Sequence, residues 1–359
     1  MVRKLSVSFV IGFSGSTPIG GLRIIYEYAN RLADRGWKVR VIHAARLSAF
    51  SRQTPLLKRL RFQFGYYRRL LFGMYLPSSW FRINPKVKML WTRTLEEKYI
   101  PDGDIIIACP VETASFVNSY SPAKGKKFYF IQHFEDWTMA AAEVEKTWKM
   151  PLQKIVISRW LLEKSERLGE NAFYIPNGLD PSNFRIDIPF RKRYLKSILF
   201  LSHNLQFKGT KYVVEAAKKL IEKYPDLKAV TFGVYNEKSY PPFITCYQNP
   251  PQKKLRELYN QARIFISPSL SEGWALPPAE AMMCGCIVIA TDIGGHEYIH
   301  DHENGLLCAV QSPDSIVEKV EWVFNYPDEA EKIAIAASQS LKEFDWDSRV
   351  SLFEQALNS

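Results

Sequence analysis

Apolar positions along this chain come in short continuous runs, separated by stretches with the period of an amphipathic helix. Runs rich in Val, Ile and Phe fall at residues 5–12, 38–43, 104–108, 127–132, 154–158 and 172–176. A second series follows at 197–202, 227–233, 263–267, 287–291 and 306–308. Runs this short and unbroken are what parallel strands covered on both faces produce, because neither face meets water. Helical stretches lie between them, for example 21–35 and 211–223. Such alternation predicts a doubly wound α/β architecture. Turn formers over residues 177–189 separate the two series. We therefore expect two Rossmann-like domains, residues 1–182 and 183–340, with 341–359 a helical segment crossing back to the first. Domains of this kind facing across a cleft would hold a ligand at the carboxyl ends of both sheets.

Composition narrows the class. Hydrophobic residues make up 47% and charged residues 24% of 359, which excludes disordered and fibrous chains. The opening run superficially resembles a signal peptide. Ser6 and Ser8 alternate with apolar residues at strand period, however, and no small-residue cleavage site follows. No apolar run reaches the ~18 residues of a membrane span. Cys109, Cys246, Cys284, Cys286 and Cys308 are odd in number and mostly in apolar contexts, which argues against a disulfide framework and for a reducing cytoplasm. Cys284 and Cys286 have no second Cys/His pair at zinc spacing and are expected to be buried thiols. His296, His300 and His302 sit in a carboxylate-rich turn that reads as a surface loop rather than a metal site.

The chemistry concentrates in residues 267–295. A strand ends near Ser267, Pro277 suits the first position of a helix, and Gly285 can stop that helix after about two turns. Glu272 then lies in a loop at a strand's carboxyl end, and Glu280 in the helix's first turn. Free N–H groups at the helix start, approachable through Gly273, suit a phosphate. Two carboxylates beside a phosphate site suit sugar hydroxyls, which donate hydrogen bonds to them. Glu280 alone would more simply complement the helix dipole; the combination favours a site.

The pair Glu272 and Glu280, within Ser271-Glu-Gly-Trp-Ala-Leu-Pro-Pro-Ala-Glu-Ala-Met282, resembles glycosyltransferase family 4, the retaining nucleotide-sugar transferases of the GT-B fold. Gly20-Gly21 resembles that family's N-terminal glycine loop, and Ile175-Pro-Asn-Gly-Leu-Asp180 its end-of-domain signature. Lys208-Gly209, Asn304-Gly-Leu-Leu307 and Phe344-Asp-Trp346 resemble further family segments. The resemblance implies that Glu280 holds the ribose of the donor nucleotide and that Glu272 contacts the donor sugar. It also implies that backbone groups of Gly273, Trp274, Ala275 and Leu276 line the sugar and phosphate site. Lys208 would neutralise charge growing on the departing diphosphate. The family usually has an arginine where this chain has His203, which leaves the strength of the diphosphate grip dependent on that histidine.

His133, at the carboxyl end of the 127–132 run, is the candidate catalytic-centre residue of the first domain. Glu135 and Asp136 either orient the acceptor, act as base, or are loop acids. The run Phe130-Ile-Gln-His-Phe-Glu135 also resembles a subset transferring rhamnose or other deoxysugars in cell-surface polysaccharide assembly. The resemblance implies no metal, since GT-B transferases generally do without one and neither Asp-x-Asp of the chain, at 102–104 and 345–347, suggests a metal-held diphosphate. The expected partners are a nucleotide-sugar donor and a glycan or lipid-linked acceptor. The alternatives are a non-catalytic nucleotide- or glycan-binding module and a sugar-nucleotide epimerase.

Net charge sharpens the acceptor side. The chain carries +11, yet residues 35–95 contain 14 Lys and Arg and no carboxylate, leaving 34 basic against 37 acidic residues elsewhere. Within 46–93 these cations mix with aromatics, and pieces 56–62 and 66–72 read as short basic amphipathic helices. So local a surplus disfavours a protein that coats nucleic acid. It suits an anionic membrane surface, placing the protein peripherally on the inner face of the plasma membrane. The bland alternative is a solvated flank with its aromatics turned inward.

Overall fold

The computed structural model describes residues 5–51, 53–234 and 240–359. Arg52 of the basic segment and residues 1–4 of the opening run lie outside them. The chain divides into two compact units, Met1–Ile175 with Val350–Ser359, and Pro176–Arg349.

The first unit is a parallel sheet of β1 (Ser6–Ile11), β2 (Lys38–Ala44), β3 (Lys88–Thr92), β4 (Ile105–Ala108), β5 (Lys126–Ile131), β6 (Gln153–Val156) and β7 (Ala172–Tyr174). Its order is β3-β2-β1-β4-β5-β6-β7. Helices α1 (Gly20–Asp34), α2 (Leu56–Leu71), α3 (Val111–Ser119), α4 (Ala141–Trp148) and α5 (Arg159–Arg167) connect the strands. The second unit's sheet comprises β8 (Ser197–Leu201), β9 (Lys228–Gly233), β10 (Ile244–Gln248), β11 (Ile264–Ser267), β12 (Ile287–Thr291) and β13 (Leu306–Cys308). Its order is β10-β9-β8-β11-β12-β13. Its helices are α6 (Thr210–Lys223), α7 (Gln252–Gln261), α8 (Leu276–Met283), α9 (Pro313–Asn325) and α10 (Pro327–Ser340). The last helix, α11 (Trp346–Asn358), runs from the second unit's residues into the first's.

Each sheet reverses its strand order beside its first strand, at β1–β4 and at β8–β11. In doubly wound sheets the crevice at that reversal, outside the strands' carboxyl ends, receives ligands. The loop leaving β1 leads to Gly20, and the loop leaving β8 leads to Lys208.

All eleven apolar runs are strands, and two further strands, β3 and β10, escaped the pattern. Both lie at sheet edges, where one side has no partner. Lys88, Thr245, Cys246 and Gln248 are exposed, so neither segment reads as a buried run. The pieces 56–62 and 66–72 form one continuous helix, α2, rather than two. Gly65 lies within it at a cost of only ~1 kcal/mol against alanine, and no proline interrupts it.

Packing explains two of the motifs. In the first unit the Phe353 ring of α11 stacks on Tyr28 at 4.2 Å and meets Phe130 edge-on at 5.6 Å. In the second unit a Cβ on Gly178 would lie 2.4 Å from the Trp346 ring, and Leu179 N donates to Phe344 O at 2.7 Å. The 175–180 and 344–346 segments, distant in sequence, therefore pack on each other, and only glycine fits at 178.

Candidate functional site

In the second unit, two loops at the carboxyl ends of β8 and β11 are tied together. Leu270 N donates to Phe207 O at 2.6 Å. Gly209 precedes α6 with φ +68°, and a Cβ there would lie 2.0 Å from Pro268 O. The chain thus turns left-handed and passes against the neighbouring backbone, which only glycine permits. Lys208 is carried to the β11 loop as a result. Its Nζ donates to both Glu272 carboxylate oxygens at 2.8 Å. Ser269 Oγ adds a third hydrogen bond to Glu272, at 2.7 Å. Burial alone would raise the Glu272 carboxyl, but the charge and hydrogen bonds of Lys208, with the Ser269 hydrogen bond, outweigh it and hold the group below the usual carboxylate range. Glu272 is therefore an anion held rigidly beside a cation.

His203 follows β8. Its Nδ1 accepts from Leu205 N at 3.0 Å, which places the ring proton on Nε2. Burial, then the Lys208 charge, lowers its pKa below the ordinary histidine value. It is neutral at neutral pH, which leaves Lys208 as the cation of this loop.

The helix start differs from expectation. α8 begins at Leu276 behind the cap residue Ala275, so Pro277 is its second residue and Glu280 its fifth. Glu280 lies beyond the first turn because Leu276 already adopts helical conformation, and a dipole role no longer accounts for it. The side chain is buried and accepts from Tyr259 OH at 3.2 Å. Gly285, φ +78°, ends α8, with Gly285 N donating to Met282 O and Cys286 N to Ala281 O.

Trp274 is 4% exposed and packs against Tyr298 and Phe344, so its side chain belongs to the core; Ala275 N donates to Gly295 O at 3.0 Å. Gly273 and Leu276 flank these two at the start of α8.

Sequence reasoning missed Ser269, Tyr259 and His296. The Gly294-Gly295 doublet was a usable signal, since a Cβ on Gly295 would overlap Glu272 at 2.3 Å. His296 is not on a surface loop as expected but is 2% exposed. Its Nδ1 donates to Thr291 O (2.8 Å), and its Nε2 accepts from Ser267 Oγ (3.0 Å). Burial lowers its pKa, so it stays neutral beneath the Glu272 loop. Cys284 and Cys286 are buried free thiols, and burial pushes Cys286 up to about 11 despite Arg193 beside it. Among the described residues no group of three or more His, Cys, Asp or Glu is arranged to hold a metal ion.

The first unit carries its own set. Gly20 opens α1, and a Cβ on Gly21 would come within 3.3 Å of Gln132 at the end of β5. His133 follows. Its Nδ1 accepts from Phe134 N at 2.8 Å, and its ring lies edge-on to Trp137 and Trp160. Glu135 takes the left-handed conformation, φ 53°, and its carboxylate accepts from Val111 N at the start of α3 (2.6 Å). Asp136 is exposed.

Burial pushes Glu135 up to about 7, against the opposing Val111 hydrogen bond. The folded chain therefore holds this proton to about pH 7, whereas the unfolded chain releases it near the ordinary 4.5. The sign is opposite to that of a salt-bridged carboxylate: Glu135 costs stability at high pH, and the cost fades as pH falls from 7 to 4.5. Glu135→Gln is expected to melt above wild type at pH 8 and to coincide with it near pH 5. An equal gap at both pH values in thermal melts would sink this account.

The two switch-point sheets, each with its site at the carboxyl strand ends, define a GT-B-type α/β protein. HepE of Anabaena, solved with UDP and glucose, superposes with a TM-score of 0.72 over 99% of both chains at 14% identity, which shows this fold. Residues 190–340 match the family described as glycosyl transferases group 1. A glycosyltransferase of Methanocaldococcus jannaschii is 28% identical over 197 residues, 48% of this chain and 50% of that protein. The D-inositol 3-phosphate glycosyltransferase of Thermomonospora curvata is 26% identical over 193 residues, 48% of this chain and 44% of that protein. This chain spans half or less of the length of these two relatives.

Proposed function

We propose that this protein transfers a sugar, with retention, from a nucleotide-diphosphate sugar to an acceptor hydroxyl on a cell-surface polysaccharide or lipid-linked glycan precursor. The observation that carries the reading is the Lys208–Glu272 pair at the β8 and β11 strand ends, followed by buried Glu280, within the 190–340 family match. Glu280 holds the donor ribose and Glu272 the donor sugar hydroxyls, while Lys208 meets the diphosphate. His203 donates Nε2–H to it as a neutral group, and His133 acts at the donor sugar. The bond from the sugar's anomeric carbon to the diphosphate breaks as the acceptor oxygen bonds to that carbon on the same face. The acceptor proton passes to the leaving phosphate oxygen, so no side-chain nucleophile is needed and no metal is invoked. HepE was solved with UDP, which makes UDP the first donor base to try.

A nucleoside diphosphate at 100 times its Kd should stabilise the fold by about 2.7 kcal/mol. Titrating UDP, GDP, dTDP and ADP against thermal stability is expected to single out one base. No shift with any of the four would sink the donor reading. A clear shift without transfer to any cell extract, followed by mass spectrometry, would instead indicate a non-catalytic binding module.

A further inference from the structure

Helix α2 has no buried residue over its 16-residue length. Leu57, Leu60, Phe64, Tyr67 and Leu71 recur at spacings of three and four, which places them in one stripe along the helix. Their exposures are 78, 57, 71, 44 and 79%. Phe62 and Tyr66 project to the opposite side. There Phe62 meets Phe50 edge-on at 5.2 Å, and Tyr66 stacks on Trp91 at 6.2 Å with its OH donating to Trp91 O. The helix is thus fastened by its aromatic side and turns an apolar stripe outward. Arg61 and Arg68 flank that stripe at about 100° per residue, and no carboxylate occurs in α2 or anywhere in residues 35–95.

A stripe at heptad spacing also suits a second copy of the same helix. Pairing two such helices would bring their arginines together with no acidic residue of the segment to offset them. An anionic bilayer accepts both features, because apolar side chains enter the acyl boundary while guanidinium groups reach lipid phosphates. Phe72 and Met74, exposed just past the helix, prolong the apolar surface.

We propose that α2 is a membrane-docking helix that lies flat on an anionic lipid surface with the Leu57–Leu60–Phe64–Tyr67–Leu71 stripe inserted. The inference does not depend on what the second unit transfers.

The full chain is tested by cosedimentation with phosphatidylcholine vesicles and with equimolar phosphatidylcholine–phosphatidylglycerol vesicles. Sedimentation with the anionic vesicles alone, reversed by salt, is expected. Leu57→Ser/Phe64→Ser/Leu71→Ser should weaken it at least about tenfold, with the melting temperature little changed because these three side chains are mostly exposed; Tyr67, which Arg93 contacts, is left in place. Arg61→Gln/Arg68→Gln should weaken it roughly thirtyfold, from about 1 kcal/mol per cation. No binding by the wild type, equal binding by the serine variant, or equal binding to zwitterionic vesicles would overturn the proposal. So would a dimer in sedimentation velocity that the serine variant dissolves, since the stripe would then belong to a second copy.

Discussion

Replacing Lys208 by alanine is expected to lower turnover about 10²–10³-fold, the usual cost of removing one charge-stabilising donor from a reaction centre. The same change should also destabilise the second unit. Glu272 is largely buried and keeps its charge through Lys208, and without that partner burial pulls the carboxyl upward. Breaking one side of such a pair leaves an uncompensated group, at about 1–3 kcal/mol for a partly buried site. Lys208→Ala/Glu272→Gln separates the two effects, because the glutamine needs no counter-charge. The double variant should recover most of the lost stability and none of the lost turnover. Recovery of turnover would exclude the proposed role of Lys208 on the diphosphate; failure to recover stability would mean that the ion pair is not what couples the two loops.

Gly209→Ala is the largest stability effect we expect from a single methyl group. A left-handed residue with a Cβ costs about 1–2 kcal/mol. The new atom would lie 2.0 Å from the Pro268 carbonyl oxygen, and overpacking against backbone adds about 1–3 kcal/mol. A loss of about 2–5 kcal/mol, or roughly 4–20 °C in the melting of the second unit, should follow. Calorimetry reads it directly. Turnover should fall with it, since a shift of the β8 loop that relieves the clash would carry Lys208 away from Glu272. Gly65→Ala makes the control: a Cβ there has only the Arg69 guanidinium within 4 Å, at 3.9 Å, and alanine should stabilise α2 slightly. A Gly209→Ala protein as stable as wild type would mean that the β8 and β11 loops are not locked together at this glycine.

Much of this was open to reading in advance. Apolar runs marked eleven strands because most positions of a strand covered on both faces are apolar. β3 and β10 were hidden because exposed positions such as Lys88, Thr245, Cys246 and Gln248 interrupt their apolar runs. The glutamates at 272 and 280 could be singled out because carboxylates among glycine and proline at a strand end are chemically conspicuous. Ser269 and Tyr259 could not, since each acts through a hydrogen bond that spacing does not encode, and for His296 the only signal was the neighbouring Gly294-Gly295 doublet.

What the sequence alone determined is the α/β class, the strand series, the glutamate–lysine set and the acid-free segment, all properties of local pattern and composition. The tertiary structure alone decided that Lys208 meets Glu272, that Glu280 lies past the first turn, that His296 is buried and neutral, and that α2 exposes its apolar stripe. Apart from the start of α8, which is local, each of these depends on which loop or face lies next to another, a long-range relation with no counterpart in residue order.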